Sequence, residues 1–327
     1  MSSGLFVGFT MPETVALRHG GGTKLDHWRF APVDDNILIP ALVLAGVLVS
    51  FFILRSLAWW LWRAGRRVTV SLAKPAGAYL FAHPIRIALA TRFPFVYRQV
   101  AARLHLEAFT GLTLSLIVGG MLYAVALFSG LVNELLEAEG LIRLDDAVSH
   151  ALDVVRVPAA THVFRAITDL GSGPTIVAVA LTATGFLWIE NRRRYIPALW
   201  VTLAGAQLTT WAGKFLIGRA RPAFLDLAHA AFPSFPSGHT TGAMAIYGFL
   251  AYIVIRRISW DRARFEVLYW AAVLIALVGF SRVYLGVHFL SDVLSGMIVG
   301  VFWLLAGVAV AEWPRRKDTQ TSRGASA

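Results

Sequence analysis

Three groups of residues in the C-terminal half of the chain have the types and spacing that phosphoryl transfer requires. Lys214 stands seven residues before Arg221-Pro222, Pro236-Ser237-Gly238-His239 follows, and Ser281-Arg282 leads to His288 and Asp292. His288 and Asp292 are spaced i, i+4 at the start of an expected helix, so the carboxylate can accept from one imidazole nitrogen and aim the other outward. That arrangement makes a histidine a nucleophile in a defined tautomer. His239 belongs to a different group, which leaves it available as general acid toward a leaving oxygen and later as base toward water. Lys214, Arg221 and Arg282 supply cations for the non-bridging oxygens, over which charge is spread in the transition state. Ser237 and the N–H of Gly238 open another expected helix, where the dipole and free amides favour an anion.

Each residue alone has a duller reading. A Lys or Arg at a helix end commonly anchors a headgroup, a Ser-Gly pair commonly caps a helix, and a lone His commonly packs. Independent anchors, however, have no reason to include an i, i+4 His-Asp pair. The remaining histidines, His19, His27, His83, His105, His150, His162 and His229, show no ligand spacing and are assigned to loops and surface; His229 lies in the loop between the first two groups. No paired helix histidines with a glutamate occur, so neither a metal nor a cofactor is expected.

The elements that must position these residues are membrane helices. Of 327 residues 57% are hydrophobic and only 15% charged, a composition of integral membrane proteins. The absence of cysteine removes disulfides, thiolate metal sites and a cysteine nucleophile. A net charge of +11 could point to nucleic acid, but the basic residues cluster between apolar stretches, as in cytoplasmic loops, so no nucleic-acid partner is expected. Residues 1–36 lack an apolar h-region, which argues against a cleaved signal.

Seven segments are long and apolar enough to cross about 30 Å of hydrocarbon. They lie near residues 38–62, 108–133, 173–190, 196–217, 239–255, 267–283 and 289–311. The segment from Arg63 to His105 carries eight basic residues and no acid, and should be cytoplasmic, either as a surface segment at anionic headgroups or as a partner-binding module. Arg192-Arg193-Arg194, the arginines from 256 to 264, and Arg315-Arg316-Lys317 mark three more cytoplasmic ends. Residues 134–171 are acidic, are broken at Pro158, and are expected outside as one or two short helices capping the bundle. The fold expected is all-α: a polar tail at 1–36, an additional N-terminal membrane helix at 37–62, a basic cytoplasmic loop at 63–107, a six-helix core at 108–311 and a cytoplasmic tail at 312–327. Helices of alternating direction then bring the ends near Lys214, Gly238, Arg282 and His288 to one membrane face, the outer one. Arg219, Arg221 and Arg282 sit there against the positive-inside trend, and such cations usually have another task.

With these motifs in place, the chain resembles the type 2 phosphatidic acid phosphatase superfamily, whose site is shared by bacterial acid phosphatases and vanadium haloperoxidases. The family pattern is a lysine, six residues and Arg-Pro; then Pro-Ser-Gly-His; then Ser-Arg, five residues, His, three residues and Asp. Lys214, Arg221, Pro222, Pro236, Ser237, Gly238, His239, Ser281, Arg282, His288 and Asp292 match it at every specified position. The resemblance covers roughly residues 108–311. It implies a phosphohistidine on His288, protonation of the leaving group by His239 and no metal requirement. The N-terminal helix and basic loop depart from the usual core, so substrate identity does not transfer from simpler members.

The leading expectation is therefore a phosphatase acting on a lipid phosphate or diphosphate at the outer face of a bacterial inner membrane, with membrane lipids as surroundings. Undecaprenyl diphosphate, phosphatidate and phosphatidylglycerol phosphate fit equally, because the motifs address only phosphate. A phosphotransferase that passes the group to another lipid or a sugar, and a non-catalytic lipid-binding or transport protein, are the alternatives. A haloperoxidase would need bound vanadate and fits a seven-span bundle poorly.

Overall fold

The computed structural model describes residues 49–67, 91–94, 112–137, 139–222 and 232–313. The polar tail at 1–36, the first part of the expected 38–62 span, most of the basic loop, His229 and the C-terminal tail lie outside the described residues. The chain divides into two compact units, Met1–Leu57 and Ala58–Ala327. In the first, residues 49–57 are helical.

The second unit is all-α among its described residues. Residues 58–67 are helical (α1), followed by α2 (Leu112–Glu137), α3 (Glu139–Val155), α4 (Pro158–Asp169), α5 (Gly173–Ile189), α6 (Tyr195–Ile217), α7 (Gly238–Ile255), α8 (Asp261–Tyr284) and α9 (Leu290–Glu312). The six expected core spans are thus six helices. The acidic segment forms the two short helices α3 and α4, parted at Pro158, where a proline in the first turn gives up an N–H that has no intrahelical partner.

Four described helices are by themselves long and apolar enough to span a bilayer: α2 from Thr113, α7, α8 and α9. The pair α4 and α5, bent by 45° at Leu170–Ser172, makes a fifth if taken as one span. The spans expected at 173–190 and 196–217 are helices but fail this criterion singly, for different reasons. α5 has 17 residues. α6 has 23, but Thr202, Gln207, Thr209, Thr210 and Lys214 dilute its apolar character, and it packs inside the bundle against α7 and α9. Its polar groups are satisfied there: Thr202 and Thr210 donate to the carbonyls of Ala198 and Ala206 at 2.8 and 2.9 Å, and the Trp303 indole donates to Thr209 at 2.9 Å.

The main core lies between α5, α6, α7 and α9, built on Ile176, Leu199, Leu203, Ile246, Phe249 and Ala311. A smaller cluster of Tyr284, Leu285 and Val287 packs under Leu152, Ala160 and Phe164, so α3 and α4 sit on the turn between α8 and α9. At the other end of the bundle Arg257 donates to Glu190 at 3.0 Å, joining the α5–α6 and α7–α8 connections.

Candidate active site

The site is assembled from four helix ends. α6 stops one turn after Lys214 because Gly218 takes the left-handed conformation, φ 63°, and its N–H closes on the Lys214 carbonyl at 3.0 Å. The chain then turns to present Arg219 and Arg221. α8 ends just beyond Arg282, where Gly286 has φ 65° and the N–H groups of Val287 and His288 both return to the Arg282 carbonyl, at 3.2 and 3.3 Å. This turn ties His288 to the arginine six residues before it.

The loop carrying Pro236 and Ser237 is held from both sides. On α6, Gly213 lets Pro236 approach so closely that a Cβ there would lie 2.7 Å from the proline Cδ. On α9, a Cβ at Gly296 would lie 2.7 Å from the Ser237 carbonyl oxygen. The Ser237 N–H donates to the Asp292 carbonyl at 2.9 Å, which joins the second and third motifs through the backbone.

His288 is buried, with Nδ1 3.3 Å from Asp292 Oδ2 and Nε2 3.4 Å from Arg221 Nη1. The pair keeps its i, i+4 spacing, but His288 does not lie on a helix as expected. It stands before Phe289, the N-cap of α9, while Asp292 occupies the first turn. Asp292 Oδ2 also accepts the Phe289 N–H at 3.0 Å. Burial lowers the His288 pKa to about 4, opposed by the bond and charge of Asp292 and assisted by Arg282 and Arg221. The imidazole is therefore neutral at pH 7, the state in which a ring nitrogen keeps a lone pair.

The three expected phosphate cations share one property. Lys214 Nζ donates to the Pro233 carbonyl at 2.5 Å, Arg221 to the carbonyls of Phe232 and Val287 at 2.9 and 2.7 Å, and Arg282 to the Thr168 hydroxyl at 2.8 Å. Among the described residues none of their hydrogen bonds goes to a carboxylate, so their charge remains available to an anion. The Arg282 Nε is buried with no hydrogen-bond partner. Burial lowers the pKa of Arg221, which nevertheless stays a cation at any working pH.

Ser237 is the N-cap of α7 and fully buried, yet its hydroxyl makes no capping bond; it accepts from the Thr240 hydroxyl at 3.1 Å. Gly238 begins α7, whose first-turn N–H groups have no intrahelical acceptor. His239 follows, partly exposed, with Arg282, His288, Arg221 and Lys214 within Coulombic reach and no hydrogen bond from its ring to a described residue. All eight expected site residues therefore converge. His150 and His162 lie exposed on α3 and α4. Among the described residues no three of His, Cys, Asp and Glu are grouped as metal ligands.

Sequence reasoning assigned no specific role to Arg219, Asp145, Ser291 or Thr168; Arg219 and Thr168 touch Asp292 and Arg282, and Asp145 and Ser291 hold Arg219. Arg219 donates to Asp292 Oδ1 at 2.7 Å, to Ser291 Oγ at 2.6 Å and to Asp145 Oδ2 at 2.8 Å. Its place against the positive-inside trend was the available signal. Asp145 is one acid in an acid-rich segment, and nothing in its spacing distinguishes it.

Residues 195–316 match the family model of the PAP2 superfamily. Phosphatidylglycerophosphatase B of Bacillus subtilis (strain 168) is 34% identical over 168 residues, 50% of this chain and 82% of its own length. A lipid A 1-phosphatase of Rhizobium etli is 29% identical over 48% of this chain and 74% of its own, and the putative undecaprenyl-diphosphatase YbjG of Escherichia coli is 34% identical over 42% and 66%. The fold is similar to a crystal structure of a transmembrane PAP2-type phosphatidylglycerolphosphate phosphatase from Bacillus subtilis, with TM-score 0.52 and 29% identity, covering 60% of this chain and 96% of that one.

Proposed function

Because the chain belongs to the PAP2 superfamily, we propose that it is a membrane phosphatase that hydrolyses a lipid phosphate or diphosphate through a phosphohistidine on His288, without a metal. The observation that carries the reading is the pair of contacts on the His288 ring: Nδ1 on Asp292 and Nε2 facing Arg221. Nδ1–H donates to the carboxylate, which leaves the lone pair on Nε2, the nitrogen that faces a cation suited to a phosphate oxygen.

The reaction runs in two displacements. Nε2 attacks phosphorus in line, the bond to the leaving oxygen breaks, and protonated His239 delivers its proton to that oxygen. Neutral His239 then takes a proton from water, whose oxygen attacks phosphorus; the P–N bond breaks and its electrons return to Nε2. Lys214, Arg221 and Arg282 stabilise the equatorial oxygens, and the first-turn amides of α7 from Gly238 onward add backbone dipoles at no cost in reorganisation.

The outer face of a bacterial cytoplasmic membrane is the proposed location. Support comes from the opposite end of the bundle, where the Arg192–Arg194 and Arg256–Arg257 connections concentrate positive charge. Undecaprenyl diphosphate, phosphatidate and phosphatidylglycerol phosphate are the substrate types proposed, in keeping with what the relatives are named for.

The test is phosphate release by purified, detergent-solubilised protein from undecaprenyl diphosphate and from phosphatidate, with EDTA present, beside His288→Ala. Release that survives EDTA and is lost in the variant supports the reading. Release that needs a metal or persists in His288→Ala overturns it. Label recovered on an added lipid or sugar, instead of free phosphate, would make the protein a phosphotransferase.

A further inference from the structure

We propose that Arg219 and Asp145 are positioning residues for this reaction: Asp145 fixes Arg219 and the start of α9, and Arg219 fixes the Asp292 carboxylate that aims His288. The inference rests on the reading of His288 as the nucleophile.

Arg219 differs from the three cations assigned to the phosphate oxygens. Lys214, Arg221 and Arg282 bond to carbonyls or a hydroxyl, whereas Arg219 is committed to two carboxylates, Asp292 at 2.7 Å and Asp145 at 2.8 Å. Both carboxylates are almost wholly excluded from solvent, at 0% and 1% exposure, so they depend on protein groups for compensation. The Arg219 guanidinium also lies 4.1 Å from the centre of the Phe289 ring. A cation neutralised in this way and covered on one face is poorly suited to bind phosphate.

Its placement instead controls Asp292. The two oxygens of that carboxylate have separate partners: Oδ1 takes Arg219, and Oδ2 takes the Phe289 N–H and His288 Nδ1. Without Arg219, the carboxylate is free to rotate, and the bond that selects the His288 tautomer loses its direction. Asp145 secures the arrangement from α3. Besides Arg219 it accepts the Ser291 N–H at 2.9 Å and the Ser291 hydroxyl, so one carboxylate holds both the arginine and the first turn of α9. The path Asp145, Arg219, Asp292, His288 makes the capping helix α3 part of the catalytic apparatus.

The experiment compares Arg219→Ala, Arg219→Lys and Asp145→Asn with wild type, with His288→Ala and with Asp146→Asn, a control on the exposed side of α3. For each folded variant kcat, KM, the orthovanadate inhibition constant and the pH profile of kcat/KM are measured. Outer partners of a catalytic group typically carry 10- to 100-fold effects, so kcat of Arg219→Ala is expected to fall by about 10- to 100-fold. KM and vanadate inhibition should change by less than about 3-fold, since ground-state phosphate contacts are untouched. The acid limb should also move to higher pH. His288 is faced by Asp292 from α9, Arg282 from α8, Arg221 after α6 and, across the site, Lys214 and His239; removing Arg219 leaves the Asp292 charge uncompensated and favours the imidazolium. Added guanidinium should restore part of the lost rate, and Asp145→Asn should follow in the same direction with a smaller loss.

Wild-type kcat in folded Arg219→Ala overturns the proposal. So does a loss expressed in KM and vanadate affinity, which would make Arg219 a phosphate ligand, or a loss of kcat with neither a shifted acid limb nor guanidinium rescue, which would make it structural. If Arg219→Ala does not fold, the same criteria are applied to Arg219→Lys and Asp145→Asn. Activity in His288→Ala would defeat the nucleophile reading itself, and is thereby distinguished from failure of the positioning role.

Discussion

Arg221 Nη1 lies 3.4 Å from Nε2 of His288, so a fixed cation stands beside the ring nitrogen that faces away from Asp292. A proton on Nε2 would bring a second positive charge against that guanidinium, in a place largely closed to water. The contact therefore favours the neutral ring and, in the proposed reaction, sets where a phosphate oxygen would lie as phosphorus meets Nε2.

The pH dependence follows from this burial. His288 is held neutral down to about pH 4, against 6.5 for an unperturbed histidine. The acid limb of kcat/KM assigned to His288 should therefore fall well below pH 6, and a His288 midpoint at or above 6.5, followed by NMR of labelled protein, would contradict the buried geometry. Stability moves in the same sense. Between the folded and unfolded values the unfolded chain binds more protons, so the His288 contribution is present above about pH 6.5 and is lost as pH falls through 4. Thermal unfolding in detergent should show lower Tm toward acid, with less of that slope in His288→Gln.

Thr168→Val tests how Arg282 is held. The Thr168 hydroxyl accepts from Arg282 Nη1 at 2.8 Å, and the arginine Nε has no partner, so the variant weakens an already sparse set of bonds. Hydrogen bonds to charged groups contribute about 1.5–3 kcal/mol, which predicts a fall in kcat/KM of about 10- to 100-fold. Because Arg282 is assigned to the phosphate oxygens, the loss should include weaker orthovanadate inhibition. Unchanged vanadate affinity would remove Thr168 from the support of the phosphate site.

The candidate reacting groups were legible in the sequence because the chemistry proposed for them dictates both type and interval. Lys214, Arg221, His239, Arg282 and His288 could be joined by helix direction alone, since apolar spans alternating across a bilayer leave few ways to place their ends. What could not be read was the support beneath them. Asp145 reaches Ser291 and Arg219 across more than seventy residues, and no local pattern announces such a contact. The helical state of His288 was misjudged for a related reason: an i, i+4 pair resembles a helix face, but here Phe289 is the N-cap and the spacing is met by a loop residue and the first turn. α6 was legible as a span although it is only moderately apolar, because its threonines are satisfied within the bundle instead of facing lipid.

Lys214 should not tolerate arginine. Its ammonium is buried, at 8% exposure, and sits 2.5 Å from the Pro233 carbonyl, a single-point contact that a planar guanidinium cannot reproduce in the same space. Lys214→Arg and Lys214→Met are both expected to lower kcat/KM by about 100-fold or more, the scale of losing one preorganised transition-state donor. Near-wild-type activity in Lys214→Arg would show that only charge is needed there.

Gly296→Ala offers a test of the backbone junction between the second and third motifs. A Cβ at this position would lie 2.7 Å from the Ser237 carbonyl oxygen and 3.1 Å from the Thr241 hydroxyl. The first of these is backbone and cannot swing aside, so α9 must move from α7 or the Ser237 loop must shift. Overpacking of this kind costs about 1–3 kcal/mol in stability. The displacement acts directly on the 2.9 Å bond from the Ser237 N–H to the Asp292 carbonyl, and therefore on the distance between the α7 amides and His288. Misplacement of about 1 Å is enough to cost on the order of 100-fold in rate, so kcat should drop well beyond what the fraction unfolded explains. Gly248→Ala makes the control, because its Cβ would meet only the end of the Leu304 side chain, with Cδ2 at 2.9 Å, ten residues along α7 from Gly238. There the leucine methyl can yield, and stability should fall with kcat retained. Equal loss of kcat in both variants, at matched folded fraction, would mean that the Ser237 junction has no special hold on the chemistry.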